Sequence, residues 1–522
     1  MSVIRTIVRK ELLVNLLSLR FLVGLVIVLL MMGLVGYVLT EDYAARHQAY
    51  LADAQAHRQA LEQTKVFSKV EVFVDIEPSP LSVFSRGIKD LPTAVRVSPY
   101  HIPSVIDEGS GSVFIGTSGS SDRRSNPLLR IFSSIDLAFV IGTIFSLFAV
   151  LLVFDSFSGE REQGTLKLML STSTGRAHLL VGKFLGALAT LIVPLTLGFL
   201  EIVLLWSLSP KISPRASDWA GVALIYAVSI VFLSAVLGLG LLISLFARES
   251  SSGLMIILLA WVIVVIVVPA GAEYLSDFAR PRAIRESVLS QIRDESRDFA
   301  KAVAEMPYQS VGGWYNADMT GFRGDSILGI LQEDVLTRTA FNQKVFPLKF
   351  RFAEQRYRLV ESYAAALEKW GAFRDDLSRP SLCVLFGNVA QAVAGTNMAG
   401  FASVVRRARF YREALMAYLE PKVGTPAWFT RALEYPDVQP TNDHRKAWQD
   451  LIGREGERAV EKILSWDRIA ALDLSAMPKP DVSLPGRAER LGGALADGLL
   501  LLGSVGIFLV LAMVRLRRYP VS

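Results

Sequence analysis

Six stretches of this chain are long and apolar enough to decide its architecture before any other feature is read: Phe21 to Thr40, Ile135 to Phe154, Phe184 to Trp206, Trp219 to Phe246, Gly253 to Val268 and Gly492 to Val514. A helix needs about 20 apolar residues to cross the hydrocarbon of a bilayer. Only a helix satisfies its own backbone polar groups there without a closed barrel. The expected fold is therefore an α-helical polytopic membrane protein with six transmembrane helices, an N-terminal interfacial helix and a mostly helical extracytoplasmic domain.

Composition supports a divided chain. Of 522 residues, 52% are hydrophobic and 20% charged, too apolar for a water-soluble chain and too charged for one buried in lipid throughout. The net charge of +6 is unevenly placed. The short flanks of the spans (Arg5, Arg9, Lys10, Arg20, Arg161, Lys167, Arg176, Lys183, Arg248, Arg515, Arg517, Arg518) face only five acids, Glu11, Asp155, Glu160, Glu162 and Glu249. The basic excess is thus a topology signal rather than a nucleic-acid patch, and it puts both termini in the cytoplasm. The single cysteine, Cys383, excludes an intrachain disulfide. The five histidines are scattered, with no metal-ligand spacing.

Taken in order, residues 1–20 alternate apolar and basic groups with helical period and read as an interfacial amphipathic helix. The first span (21–40) opens into an extracytoplasmic segment (41–130) in which Asp42 to Lys65 extends the helix and Lys69 to Asp75 alternates as a strand. Gly109 to Ser121 is a Gly/Ser-rich loop. Spans at 135–154, 184–206, 219–246, 253–268 and 492–514 follow, with a cytoplasmic loop at 155–183 and a tail at 515–522. Residues 273–490 contain no run of about 18 apolar residues and are expected to form an extracytoplasmic helical domain. Its least charged part, Ser381 to Ala399, is the expected buried centre.

The 155–183 loop is more specific than a hairpin. Glu160-Arg161-Glu162 begins it, Gly164 breaks it, and Thr165-Leu166-Lys167-Leu168-Met169-Leu170 has the spacing of a short amphipathic helix. This Glu-Arg-Glu-x-Gly-Thr-Leu-x-x-x-Leu pattern, followed by Gly175-Arg176 and Gly182-Lys183, resembles the first cytoplasmic loop of the type-2 permease subunits of ATP-binding-cassette (ABC) transporters. Pro78 to Gly87, Arg379-Pro-Ser-Leu, Ala394 to Asn397 and Phe410-Tyr-Arg-Glu are similar to stretches of a bacterial subgroup that carries a large extracytoplasmic helical domain. The resemblance implies a coupling loop, Glu160, Arg161, Glu162, Gly164, Thr165, Leu166 and Lys167, that docks on a separate ABC ATPase. Its charges would fix the docking register and Gly164 would permit close backbone approach. It further implies an exporter subunit of the bacterial inner membrane, paired with a second permease copy or a similar permease. The alternative is an ATP-driven mechanotransmission or assembly factor whose outer domain acts on an extracytoplasmic protein partner.

No catalytic constellation is present. Gly182-Lys183 is followed by Phe184, and the preceding glycine is seven residues back, so no phosphate loop forms. The chain is expected to bind no cofactor, with ATP and magnesium on the partner ATPase. Two acids, Glu201 and Asp497, lie inside spans, where an ionisable group must face protein or water. They are candidates for the translocation path, or for residues close to the outer interface.

Overall fold

A computed structural model of the chain describes residues 2–87, 92–105, 136–171, 175–210, 212–305, 324–423, 428, 446, 450, 453–455, 471–480 and 487–519. Side chains are described from 344 and from 490 in the two segments that begin at 324 and 487. The Gly109 to Ser121 stretch lies outside the described residues.

The chain opens with α1 (Ser2–Leu16), which Ser18 separates from α2 (Leu19–Glu62) by accepting the Phe21 N–H as an N-cap. Helix α2 runs 44 residues without a break. After it come β1 (Val72–Asp75) and β2 (Ala94–Val97), antiparallel with Val72 opposite Val97. Helix α3 (137–153) is capped by Asp136 and has a π-helical stretch at Val140–Phe145. Two short helices, α4 (Ser158–Glu162) and α5 (Thr165–Ser171), lead into α6 (Arg176–Leu208) and α7 (Ala216–Phe246). Helix α8 (Ser250–Phe278) contains a second π-helical stretch, Ile263–Val267. The remaining α-helices among the described residues are α9 (Arg282–Ala304), α10 (Gly324–Ser378), α11 (Leu382–Ala394), α12 (Met398–Leu419), α13 (Arg487–Gly492) and α14 (Leu495–Arg517).

Among the described residues, seven helical stretches are long and apolar enough to cross a membrane, one more than the six apolar runs. The additional stretch, 382–422, is not one helix. Gly395 sits at φ 74° and ends α11, a left-handed conformation that costs a residue with a Cβ about 1–2 kcal/mol. The 13 residues of α11 rise only about 20 Å, too short for hydrocarbon about 30 Å thick.

The position of α11 corrects the expectation for Ser381 to Ala399. Leu382, Leu385, Phe386, Val389 and Val393 are not the centre of a separate domain but belong to the main core, with α3, α6, α7 and α14. Phe386 stacks on Phe232 of α7 at 5.0 Å between centroids. Cys383 Sγ donates to the Gly142 carbonyl at 3.0 Å, within the π-helical stretch of α3. Trp261 Nε1 of α8 donates to Ser146 Oγ at 2.9 Å, and Ser146 Oγ donates to the same Gly142 carbonyl. A half-length apolar helix can enter a bundle when its few polar groups find partners inside it. Asn388 Nδ2 of α11 does so by donating to Asp497 Oδ2 at 2.9 Å, beside Arg379 Nε on Oδ1 at 3.1 Å.

Both long inserts contribute to one second core. Val72, Val74, Val95 and Val97 of the hairpin pack with Phe346 of α10, Phe401, Val405 and Leu415 of α12, and Trp428. The hairpin is tied back to α2 by His57, whose Nδ1 lies 2.7 Å from Asp75 Oδ1 while its ring stacks on Phe73 at 4.0 Å. A third small cluster, Val288, Val360 and Tyr363, joins α9 to α10.

Asp497 is 5% exposed, so Asp497→Ala leaves the Asn388 amide and one face of the Arg379 guanidinium without their acceptor. The expected cost is roughly 2 kcal/mol, read as a lower unfolding midpoint of the purified chain, with Asp497→Asn intermediate.

Candidate coupling site

The loop between α3 and α6 is built around a buried cation. Lys183, about two turns into α6, is 3% exposed. Its Nζ lies 2.7 Å from Glu160 Oε1 of α4 and 3.0 Å from Glu11 Oε1 of α1. Lys10 Nζ approaches the same Glu160 oxygen at 3.5 Å. A buried lysine is tolerated only when paired, and here one ammonium joins three elements far apart in sequence. Helix α1 comes this close because α6 carries Gly182 and Gly186 under it, where a Cβ would fall 2.7 Å from Ile7 and Glu11 respectively.

The next two charges cap helix ends. Arg161 donates to the Ala247 carbonyl at 2.7 Å and to Leu245 at 3.2 Å, covering the C-terminus of α7, while its guanidinium lies 4.8 Å from the Tyr519 ring centroid. Glu162 Oε2 accepts the Ser250 N–H at 3.1 Å and its hydroxyl at 2.8 Å, at the N-terminus of α8. Glu249, the N-cap residue of α8, makes no side-chain cap of its own. The signs match the helix macrodipole, a cation at a C-terminus and a carboxylate at an N-terminus. Arg176 does the same for α14, donating to the Leu516 carbonyl at 3.1 Å and to that of Arg517. Ser244 Oγ of α7 closes the set. It donates to the Phe154 carbonyl at 2.9 Å and accepts the Phe157 and Ser158 N–H groups.

Helix α5 presents the outer edge. Leu166 and Leu170 are buried against the bundle, whereas Gln163, Gly164, Thr165, Lys167 and Leu168 are exposed, Leu168 to 69%. Thr165 Oγ1 donates back to the Glu160 carbonyl at 3.2 Å and fixes α5 on α4. Gly164 has φ 73° with no atom within 4 Å of a Cβ built there. Its glycine is required by the left-handed turn between α4 and α5, not by close packing within the chain, so the close-approach rationale finds no support in the chain itself.

The seven loop residues expected from the sequence are thus brought together but divided by direction. Glu160 and Arg161 turn inward, Leu166 is core, Glu162 reaches α8, and Thr165 and Lys167 with Gly164 stand at the surface. Leu168 and Gln163 were not singled out, although the apolar Leu168 falls off the Leu166–Leu170 face by helical spacing alone. The two intramembrane acids are not brought together. Asp497 is held by Arg379 and Asn388, between α11 and α14. Glu201 of α6 is half-buried against Gly33 of α2, where a Cβ would overlap its carboxylate.

Residues 5–302 match the family model described as ABC-2 family transporter protein. A stretch of 51 residues is 55% identical to a protein of Pseudomonas aeruginosa described as "Probable ABC transporter permease protein NosY". That stretch is 9% of this chain and 18% of the relative, so the chain spans under a fifth of that protein in the match. With the family model covering α1 through most of α9, more than half of the sequence, the chain belongs to the ABC-2 transporter family, a multi-pass membrane permease subunit.

Proposed function

We propose that this permease subunit couples ATP hydrolysis by a separate ABC ATPase to export across the bacterial inner membrane, with both termini and the α4–α5 loop in the cytoplasm. The observation that carries the reading is the way one short loop holds several helix ends. Glu160 reaches α1 and α6 through Lys183, Arg161 holds α7, and Glu162 holds α8. A push on α5 is delivered to all of these at once. ATP and magnesium belong to the partner, and a second permease copy or a similar permease completes the transporter.

The ATPase seat is the exposed edge of α5, centred on Leu168 with Gln163, Thr165 and Lys167 around it. An exposed apolar side chain ringed by polar groups has the composition of a small docking contact. Glu160 and Arg161 act one layer behind, holding the loop rather than meeting the partner. A second reading, mechanotransmission to an extracytoplasmic protein partner, draws on the size of the body formed jointly by the hairpin and α12. Stimulation of the ATPase by a transported solute favours export, and a stable complex at that body favours the second.

Two substitutions separate seat from strut. Leu168→Glu is expected to weaken co-purification of the ATPase by about tenfold or more while leaving the unfolding midpoint of the permease unchanged. A full complement of ATPase on the Leu168→Glu permease would place the docking surface elsewhere. Lys183→Met leaves Glu11 and Glu160 facing each other without their buried cation. It is expected to destabilise the isolated permease by roughly 3 kcal/mol, seen as a lower midpoint before any partner is added.

A further inference from the structure

Helix α1 exposes a side that its contacts with α6 do not use, and the exposed residues are sorted along its length. Arg5 and Arg9 stand one turn apart, both exposed, and neither makes an ion pair or hydrogen bond among the described residues. Leu13 and Val14 follow on α1, and Leu17, 84% exposed, stands in the turn just beyond it. Ile7 lies over Gly182 and Glu11 over Gly186, so α1 and α6 run side by side in the same direction. In the direction in which α6 enters its apolar stretch, the exposed arginines of α1 come before Leu13 and Val14. Arg20, just beyond the turn, pairs with Asp155 at 2.7 Å at the polar end of α3.

We propose that the exposed side of α1 is a docking surface for anionic phospholipid, Arg5 and Arg9 holding the phosphodiester headgroup and Leu13, Val14 and Leu17 lying against its acyl chains. Charge complementarity selects the occupant. Two unpaired guanidinium groups at i and i+4 suit an anion, and the adjoining leucine step requires that the anion carry a hydrocarbon tail. Juxtamembrane cations each gain on the order of 1 kcal/mol beside an anionic surface. The surface is wired inward through neighbours on the same helix. Lys10 reaches Glu160 at 3.5 Å, and Glu11 shares Lys183 with Glu160. Lipid that fixes α1 therefore also fixes the first turn of the coupling loop, making lipid composition a regulator of the site proposed above. Lipid docking itself does not depend on the ATPase reading.

The experiment uses the full chain alone in nanodiscs, with amide hydrogen exchange followed by mass spectrometry. Discs of phosphatidylcholine are compared with discs in which about a third of the lipid is phosphatidylglycerol. Exchange in Ile4–Leu16 is expected to slow roughly thirtyfold in the anionic discs, the scale set by two surface cations, with a smaller slowing in Ser158–Glu162. Arg5→Gln with Arg9→Gln should erase the difference, and Arg517→Gln with Arg518→Gln, equal in charge loss, should keep it. Equal exchange in the two lipids overturns the proposal, as does a difference that survives the Arg5/Arg9 change. So does protection of phosphatidylcholine discs by soluble glycerol phosphate, which would make the site one for a free anion. No ATPase is present, so each negative result leaves the docking role of α5 standing.

Discussion

Everything at the loop end of this molecule depends on one ammonium group held away from water. Lys183 is paired twice, with Glu160 and Glu11, and neither pairing could be removed without leaving a charge that the apolar surroundings cannot solvate. Such an ion cluster adds little to net stability compared with well-packed hydrocarbon. What it adds is a fixed relation between α1, α4 and α6, because the Lys183 ammonium of α6 bonds a carboxylate from each of the other two. The Arg161, Glu162 and Arg176 caps extend the same logic outward, each exchanging an unsatisfied helix terminus for a bond to the loop.

At mid-height the bundle is held by a different device. Two π-helical stretches, in α3 and α8, flank the entry of α11, and the Gly142 carbonyl accepts both Cys383 Sγ and Ser146 Oγ. A π-helical turn frees carbonyls that a regular helix would use internally, which is why a third helix can bond there. Trp261 ties α8 into the same group through Ser146. The span that leads into the α4–α5 loop and the half-helix α11 thus share an acceptor.

Much of this was legible in the chain and some was not. The six apolar runs announce themselves because lipid demands length and continuity. Thr165 to Ser171 is readable as a helix because Leu166 and Leu170 are four apart. Gly164 marks its own turn. Helix α11 escaped because 13 residues, ten of them apolar, fall below the length that signals a span, and an isolated sequence does not distinguish a domain core from a half-helix inserted among spans. The inward direction of Glu160 escaped for another reason: its cations, Lys10 and Lys183, belong to helices far apart in sequence. Only the glycines at 182 and 186, spaced one turn apart on one face of α6, hint that another helix lies there. Asp497 was visible as an intramembrane acid, but Arg379 and Asn388, which explain it, sit more than a hundred residues away.

Helix α2 turns these local attachments into something larger. Its 44 residues, unbroken by proline or cap, extend about 66 Å, more than twice the thickness of the hydrocarbon. Near one end Arg20 is fastened to Asp155 at the threshold of the α4–α5 loop, and toward the other His57 is clasped to the hairpin. A rod of that length converts angle into distance: pivoting about its lower end, a tilt of about 5° displaces the upper end by roughly 6 Å. Motion too small to disturb packing around Lys183 is therefore a side-chain-sized stroke where the two inserts meet.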